Sequence, residues 1–363
     1  MASYPHPRKG TTLKEGESIY YFTAFSGAQT QKWARRPASN PWRCMELELN
    51  GPKNLEARAF LSQARDFYSA AERAGPTARP LLLYYSFLNL AKMLIKARNP
   101  DIDLTRASHG VIEDSNNRSA QRFRLTSQSV RVARVQNRAH ILDAFTKAVG
   151  SCSLNPGHKY EVCALLAQIP SVHRVYCHVR RQPERLYRVE HAEFRFLQST
   201  RELWSVLWVK SARRTSVSLS SLKKRGYFKS FFQQVESEGE YRHLPSFQTE
   251  PVHYSQDPRS ALQEIGQKCI QAGLAWILTP AAYRYYLVDV QPAARVHQSV
   301  AAYLSMFYFG SVARYRPHDL EKTLRGQFAW VIEEFLSTEG LQFVYFIASK
   351  LVEREVMRPF AFI

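Results

Sequence analysis

Five cysteines are scattered along the 363 residues (Cys44, Cys152, Cys163, Cys177 and Cys269), odd in number and never spaced C-x-x-C. That pattern argues against both a disulfide framework and a structural zinc site, and it fits a reducing cytoplasm. No apolar run approaches the ~18 residues of a membrane span. The start, MASYPHPRKGTTLKE, is polar and basic and holds no apolar stretch, so no signal peptide is expected. The chain also lacks G-x-x-x-x-G-K-[ST] and G-x-G-x-x-G, which leaves ATP hydrolysis and dinucleotide binding without support. H-E-x-x-H and G-x-S-x-G are missing too.

Acidic residues are scarce relative to basic ones. Lys and Arg number 50 against 31 Asp and Glu, a net charge of +19. The excess is uneven: Gln121 to His243 holds 22 Lys/Arg and only 9 Asp/Glu. A surplus of this kind points to a polyanionic partner, because cations that neutralise phosphates release condensed counterions. Nucleic acid is the expected partner, and an acidic protein or multi-subunit complex is the alternative. The basic residues expected to carry the contact are Arg180, Arg181, Arg213, Arg214, Lys223, Lys224 and Arg225, with Tyr227, Phe228, Phe231 and Phe232 beside the last group. Exposed aromatics there would stack on bases; as core residues they would not.

With 45% hydrophobic and 22% charged residues, the chain has the composition of a folded globular protein. Its clearest helical pattern runs from Gln63 to Gly110. Phe60, Leu61, Ala64, Phe67, Tyr68 and Ala71 form one stripe of period 3.6, ended by Gly75-Pro76. Pro80 then opens a second helix, Leu81 to Ala97, that has no continuous polar face yet carries Tyr84, Tyr85, Asn89 and Lys92. Burying an amide and an ammonium is costly unless each finds a partner.

This block resembles the YaaC-like family of bacterial proteins. The residues that carry the resemblance are Gln63, Ala64, Phe67, Tyr68, Ala71, Pro80-Leu81, Tyr84-Tyr85, Asn89-Leu90, Lys92 and Ser108-His109-Gly110. Further along come Ala167-Gln168-Ile169-Pro170, Tyr176, the stretch from Tyr303 to Pro317, and Arg358-Pro359-Phe360. The resemblance implies a bacterial, cytoplasmic setting. It implies no particular activity.

Four regions are expected: an irregular start (1–54), a helical part of the core (55–110), a basic mixed segment (111–292) and a C-terminal helical part of the core (293–363). The fold class expected is α+β, with the terminal helices forming a helical bundle and the mixed segment inserted between them. Tyr20-Tyr21-Phe22, Met45 to Leu49, Val130 to Val135, Glu193 to Leu197 and Trp204 to Val209 read as strands. Ala275 to Leu278 and Tyr283 to Val290 read as a hairpin. Helices are expected at Ile141 to Val149, Tyr160 to Gln168, Leu262 to Ala272 and Ser299 to Arg314. Asp319 should cap a helix with a stripe of Leu320, Leu324, Phe328, Ile332, Phe335 and Leu336, and Gly340 should break it.

Few constellations suggest chemistry. His191-Ala-Glu193 is half of a zinc-deaminase signature without P-C-x-x-C. His178 adjoins Cys177, but neighbours in sequence point apart. Asp257, Glu264, Lys268 and Asp289 have the wrong spacing for a metal-dependent nuclease. Arg134 with His140, and Arg185 with His191, have the interval used by metal-independent HEPN-type ribonucleases, in which His acts on the 2′-hydroxyl and Arg steadies the phosphate. No catalytic residue, metal or cofactor is assigned. A candidate pocket for a phosphate or carboxylate combines Tyr84, Asn89, Lys92 and His109 with Arg314 and Arg316. The competing reading makes them fasteners, with Lys92 paired to Glu333 or Glu334 and Arg314 bonded to helix-terminal carbonyls. The preferred function is a non-enzymatic basic protein that binds nucleic acid or a nucleic-acid-bound complex, such as an accessory subunit of a bacterial antiviral-defence or DNA-processing system. A metal-independent ribonuclease and a small-anion-binding protein are the alternatives.

Overall fold

The computed structural model describes residues 5–15, 18–23, 27–30, 35–114, 124–151, 153–211, 226–280, 283–289 and 295–359. Helices and antiparallel sheets both contribute, so the chain is α+β. In chain order the helices that matter below are α1 (Pro41–Glu48), α2 (Leu55–Arg73), α3 (Arg79–Arg98), α4 (Ile141–Ala148), α5 (Val162–Ala167), α6 (Pro170–Val179), α7 (Arg259–Gln271), α8 (Gln298–Tyr315), α9 (Pro317–Leu324) and α10 (Ala329–Val352). By contact the chain forms two units. One holds residues 40–182 and 293–352; the other holds residues 1–39, 183–292 and 353–363. One division falls at Gln182, inside the stretch that sequence reads as a single mixed segment. Residues before that point supply α4, α5 and α6, which pack on α3, α8 and α10 respectively.

Helix α3 is the hub of the helical unit and packs against α2, α8 and α10. The ring of Phe87 stacks on Phe343 of α10, with centroids 3.9 Å apart and planes 8° apart. Phe145 of α4 meets Tyr303 of α8 at 5.3 Å. A three-stranded antiparallel sheet (Val111–Glu113, Ser129–Val132, Lys159–Glu161) completes this unit.

The other unit is built on an eight-stranded antiparallel sheet. Its main path runs Phe232–Val235, Ser246–Thr249, Glu202–Ser211, Leu186–Leu197, Tyr283–Val288, Leu274–Leu278. The last two strands form the expected hairpin, in register Leu274 to Leu287. Helix α7 packs on the strands Leu274–Leu278 and Glu202–Ser211.

Four local expectations are corrected. Met45 to Leu49 alternates like a strand but belongs to α1 and its C-cap, because Asn40 accepts the Arg43 N–H at 3.1 Å and Pro41 is preset for a first turn. Asp319 does not start one long striped helix: α9 begins at Pro317 and stops at Leu324, and α10 begins afresh at Ala329. The apolar positions Leu320, Phe328, Ile332, Phe335 and Leu336 are buried nonetheless, shared between the two helices and the turn that joins them. Gly340 does not break a helix but lies within α10. A Cβ there would stand 3.2 Å from Tyr68 Cε2 of α2 and 3.3 Å from Leu83 Cδ2 of α3, so the glycine serves close helix approach. Tyr160 is likewise in a strand, and the helix begins only at Val162.

Candidate functional site

Two clusters of cations stand out, both in the helical unit. The first is built on α3 and α8. Gly310 of α8 lets Tyr84 press against that helix, and the Tyr84 phenol lies 2.9 Å from His109 Nδ1. Burial, with Tyr303 and Tyr85 close by, pushes the Tyr84 pKa far upward, so the phenol stays protonated. Donating that proton to Nδ1 leaves His109 with Nε2–H pointing away from the bond. His109 is held by a turn in which Gly110 takes φ +75°, a conformation suited to glycine, with the Leu142 N–H bonded to the His109 carbonyl at 3.1 Å.

Lys92 and Arg314 are within electrostatic reach of this imidazole. Burial first, then Lys92, then Arg314 pull the His109 pKa down, so the ring is neutral at pH 7. Burial also lowers the Lys92 pKa. Its ammonium sits 5.3 Å from the Phe60 ring centroid and makes no ion pair or hydrogen bond among the described residues. The expected pairing with Glu333 or Glu334 is therefore not found; on α3 it is the buried Lys96 that pairs, with the exposed Glu56 at 2.7 Å. Arg314 donates to the Tyr85 hydroxyl at 3.3 Å and lies 5.0 Å from the Tyr315 ring centroid, again with no carboxylate partner among the described residues. Phe307 closes one side, 5.5 Å from Tyr84 and 6.1 Å from His109.

Asn89 and Arg316 stand apart from this group. The Asn89 amide donates to the Tyr85 carbonyl at 2.9 Å, a bond within its own helix. Arg316 is bonded to Glu113, which also accepts from Ser311 at 3.1 Å, and it lies 3.5 Å from Asp319.

The second cluster surrounds a cavity of about 390 Å³ lined by Arg124, Leu125, Thr126, Arg180, Lys322 and Phe328, with Thr323, Gly326 and Gln327. None of the described lining residues is acidic. Arg180 caps the C-terminus of α6, its guanidinium 5.9 Å from the Phe328 ring centroid. Arg181 follows with φ +51° and is exposed. Arg124, Arg180, Arg181 and Lys322 make no ion pair among the described residues. Close by, the half-exposed Trp330 meets His178 edge-on at 5.4 Å. Arg124 and Lys322 were not singled out in the sequence; an Arg and a Lys without a motif give no local signal there.

Of the other expected contacts, Arg213, Arg214, Lys223, Lys224 and Arg225 lie outside the described residues. Phe228 and Phe232 are buried, and Phe228 packs edge-on against Phe247 at 5.3 Å, so these two rings are core. The ribonuclease-like intervals are engaged elsewhere. His140 Nε2 accepts the Val135 N–H at 2.7 Å while Arg134 bonds Asp143 at 2.9 Å. His191 is on a strand, stacked on Tyr241 at 4.7 Å. Lys268 pairs with Glu264 one helical turn away at 2.7 Å. Among the described residues no group of three or more His, Cys, Asp or Glu is arranged to hold a metal ion, and no helix is long and apolar enough to cross a membrane.

A family model described as YaaC-like protein matches residues 25–351. No curated protein and no solved structure matches the chain.

Proposed function

The chain belongs to the YaaC-like protein family, and we propose that it is a non-enzymatic, cytoplasmic nucleic-acid-binding protein that acts as an accessory subunit of a bacterial defence or DNA-processing assembly. The observation that carries this reading is the cavity lined by Arg124, Arg180 and Lys322. Three cations gathered around one concavity repel one another, and nearby carboxylates would normally relieve that. Here the relief is left to a partner. A phosphate backbone supplies it, with release of its condensed counterions. Arg181 extends the basic surface, and Trp330 offers an aromatic face beside it.

The contact expected is with backbone phosphates rather than base edges, since the sequence carries no helix-turn-helix or zinc-finger signature. Retention on heparin and on duplex DNA tests the reading. The logarithm of the affinity should fall linearly with the logarithm of salt, by a slope of about −0.9 per phosphate neutralised. Arg180→Glu with Lys322→Glu should weaken binding by about tenfold or more. Absence of retention at low salt, or an unchanged double variant, contradicts the proposal. Stronger retention by polyglutamate-coated resin than by DNA would favour an acidic protein partner instead.

A further inference from the structure

Arg124, Arg180 and Lys322 line a concave space of about 390 Å³, within the size range of pockets that enclose a small ligand. That shape limits which part of a nucleic acid can enter it. A phosphate inside a strand has a nucleotide on either side, so it can lie across the mouth of a cavity but not project into it. A phosphate at the end of a strand has one neighbour and projects.

Charge favours the end as well. An internal phosphodiester carries one negative charge, whereas a terminal phosphomonoester approaches two at neutral pH. Together with the phosphodiester that follows it, a terminal phosphate brings close to three charges to three cations. None of the three makes an ion pair among the described residues, and the two guanidinium groups suit the paired oxygens of a monoester. The lining is also partly apolar: Leu125 and Phe328 are buried side chains at the cavity, and the Arg180 guanidinium lies 5.9 Å from the Phe328 ring centroid. A bare backbone contact leaves such surface unused, while the sugar and base of a terminal nucleotide can cover it. Arg181, next in sequence and exposed, is not among the described lining residues and is left for the backbone beyond.

We propose that this cavity recognises the phosphorylated end of a nucleic-acid strand, with the terminal phosphomonoester held by Arg124, Arg180 and Lys322 and the terminal nucleoside against Leu125 and Phe328. The assignment rests on the nucleic-acid reading above and makes it more specific: the strand is bound by its end, and Arg181 takes the phosphates that follow.

Fluorescence anisotropy with single-stranded DNA of one sequence, labelled on an internal base, tests this. The strand is compared with a 5′-phosphate, with a 3′-phosphate and with hydroxyls at both ends. At least one phosphorylated strand should bind about tenfold or more tightly than the hydroxyl strand, and which one does so identifies the end. Arg124→Gln with Lys322→Gln alters two exposed side chains, so the fold should be kept, and it should bring phosphorylated and hydroxyl strands to equal affinity. Arg181→Gln should weaken all strands and keep their ratio. Equal binding of all three strands by the parent overturns the proposal and leaves the nucleic-acid reading standing. No binding of any strand at low salt overturns both. A preference for a phosphorylated end that survives in the double variant overturns the proposal too, because the discrimination then lies outside the cavity.

Discussion

Gly310 of α8 lies directly against Tyr84 of α3: a Cβ at position 310 would stand 2.6 Å from Tyr84 Cβ and 2.9 Å from its Cγ. Those atoms are rooted in the α3 backbone and cannot swing aside. Gly310→Ala should therefore destabilise the protein despite gaining about 1 kcal/mol in helix propensity, because overpacking of this kind costs about 1–3 kcal/mol. A lowered urea midpoint with unchanged slope is the expected result. Displacing Tyr84 should also loosen its bond to His109, visible as a change in the His109 imidazole nitrogen resonances. An alanine variant as stable as the parent would mean that the helices move apart freely.

Gly340 makes a contrasting case. Its would-be Cβ meets Tyr68 Cε2 at 3.2 Å and Leu83 Cδ2 at 3.3 Å, atoms at the ends of side chains that can give by a few tenths of an ångström. Gly340→Ala is expected to be near neutral, the propensity gain of about 1 kcal/mol offsetting the crowding. Gly340→Val, larger and β-branched, should lose about 1–3 kcal/mol. Thermal unfolding of the two variants checks the pair; equal destabilisation by both would contradict the side-chain account.

The same glycine shows what the sequence conceals. Local pattern made α2, α3 and the 274–288 hairpin legible, because period and turn chemistry agree there. Gly340 looks like a helix end by local rules, and only the approach of α2 and α3 explains it. The Met45 stretch alternates like a strand, yet the Asn40 cap and Pro41 outweigh five residues of alternation. For the candidate sites, Tyr84 and Lys92 are legible as polar residues on an apolar helix, and Arg314 as a cation at the end of another. Asn89 and Arg316 carried the same signal, and only geometry shows them bonded to Tyr85 and Glu113. Arg124 and Lys322 are nearly 200 residues apart in an Arg-rich chain, so nothing local joined them to Arg180.

Glu339 sits fully inside the helical unit, 2% exposed, with the Ser171 hydroxyl donating to it. Burial pushes its pKa up to about 7, partly opposed by that hydrogen bond. The folded state therefore holds a proton that the unfolded chain, with a carboxyl near 4.5, has already released. Stability from this group is present below pH 4.5 and is lost as pH rises to about 7. Glu339→Gln retains an acceptor for Ser171 and has no proton to lose. It should match the parent near pH 4 and exceed it at pH 8 by about 3 kcal/mol. Urea unfolding at both pH values measures this; a variant weaker at pH 8 would mean that the charged carboxylate has a partner worth more than its burial costs.

His297 acts in the opposite sense at the start of α8. Its Nδ1 accepts the Ser299 N–H at 3.2 Å and the Ser299 hydroxyl at 2.7 Å, capping the helix with an unprotonated nitrogen. Burial, reinforced by the Lys350 ammonium, lowers its pKa to about 3. The unfolded chain takes up a proton near pH 6.5 and the folded state resists it. The stability contributed above pH 6.5 is thus lost as pH falls toward 3, a change of up to about 5 kcal/mol over the whole window. Between pH 4.5 and 6.5 the slopes from His297 and Glu339 oppose each other, so these two contributions largely cancel there. His297→Asn keeps a capping acceptor without the titration, so its stability relative to the parent should decline as pH rises to 6.5. Relative to the parent, Glu339→Gln should instead climb from pH 4.5 to about 7. Chemical unfolding across pH 3.5–8 resolves the two limbs, and parallel curves for parent and His297→Asn would show that the imidazole is not held neutral.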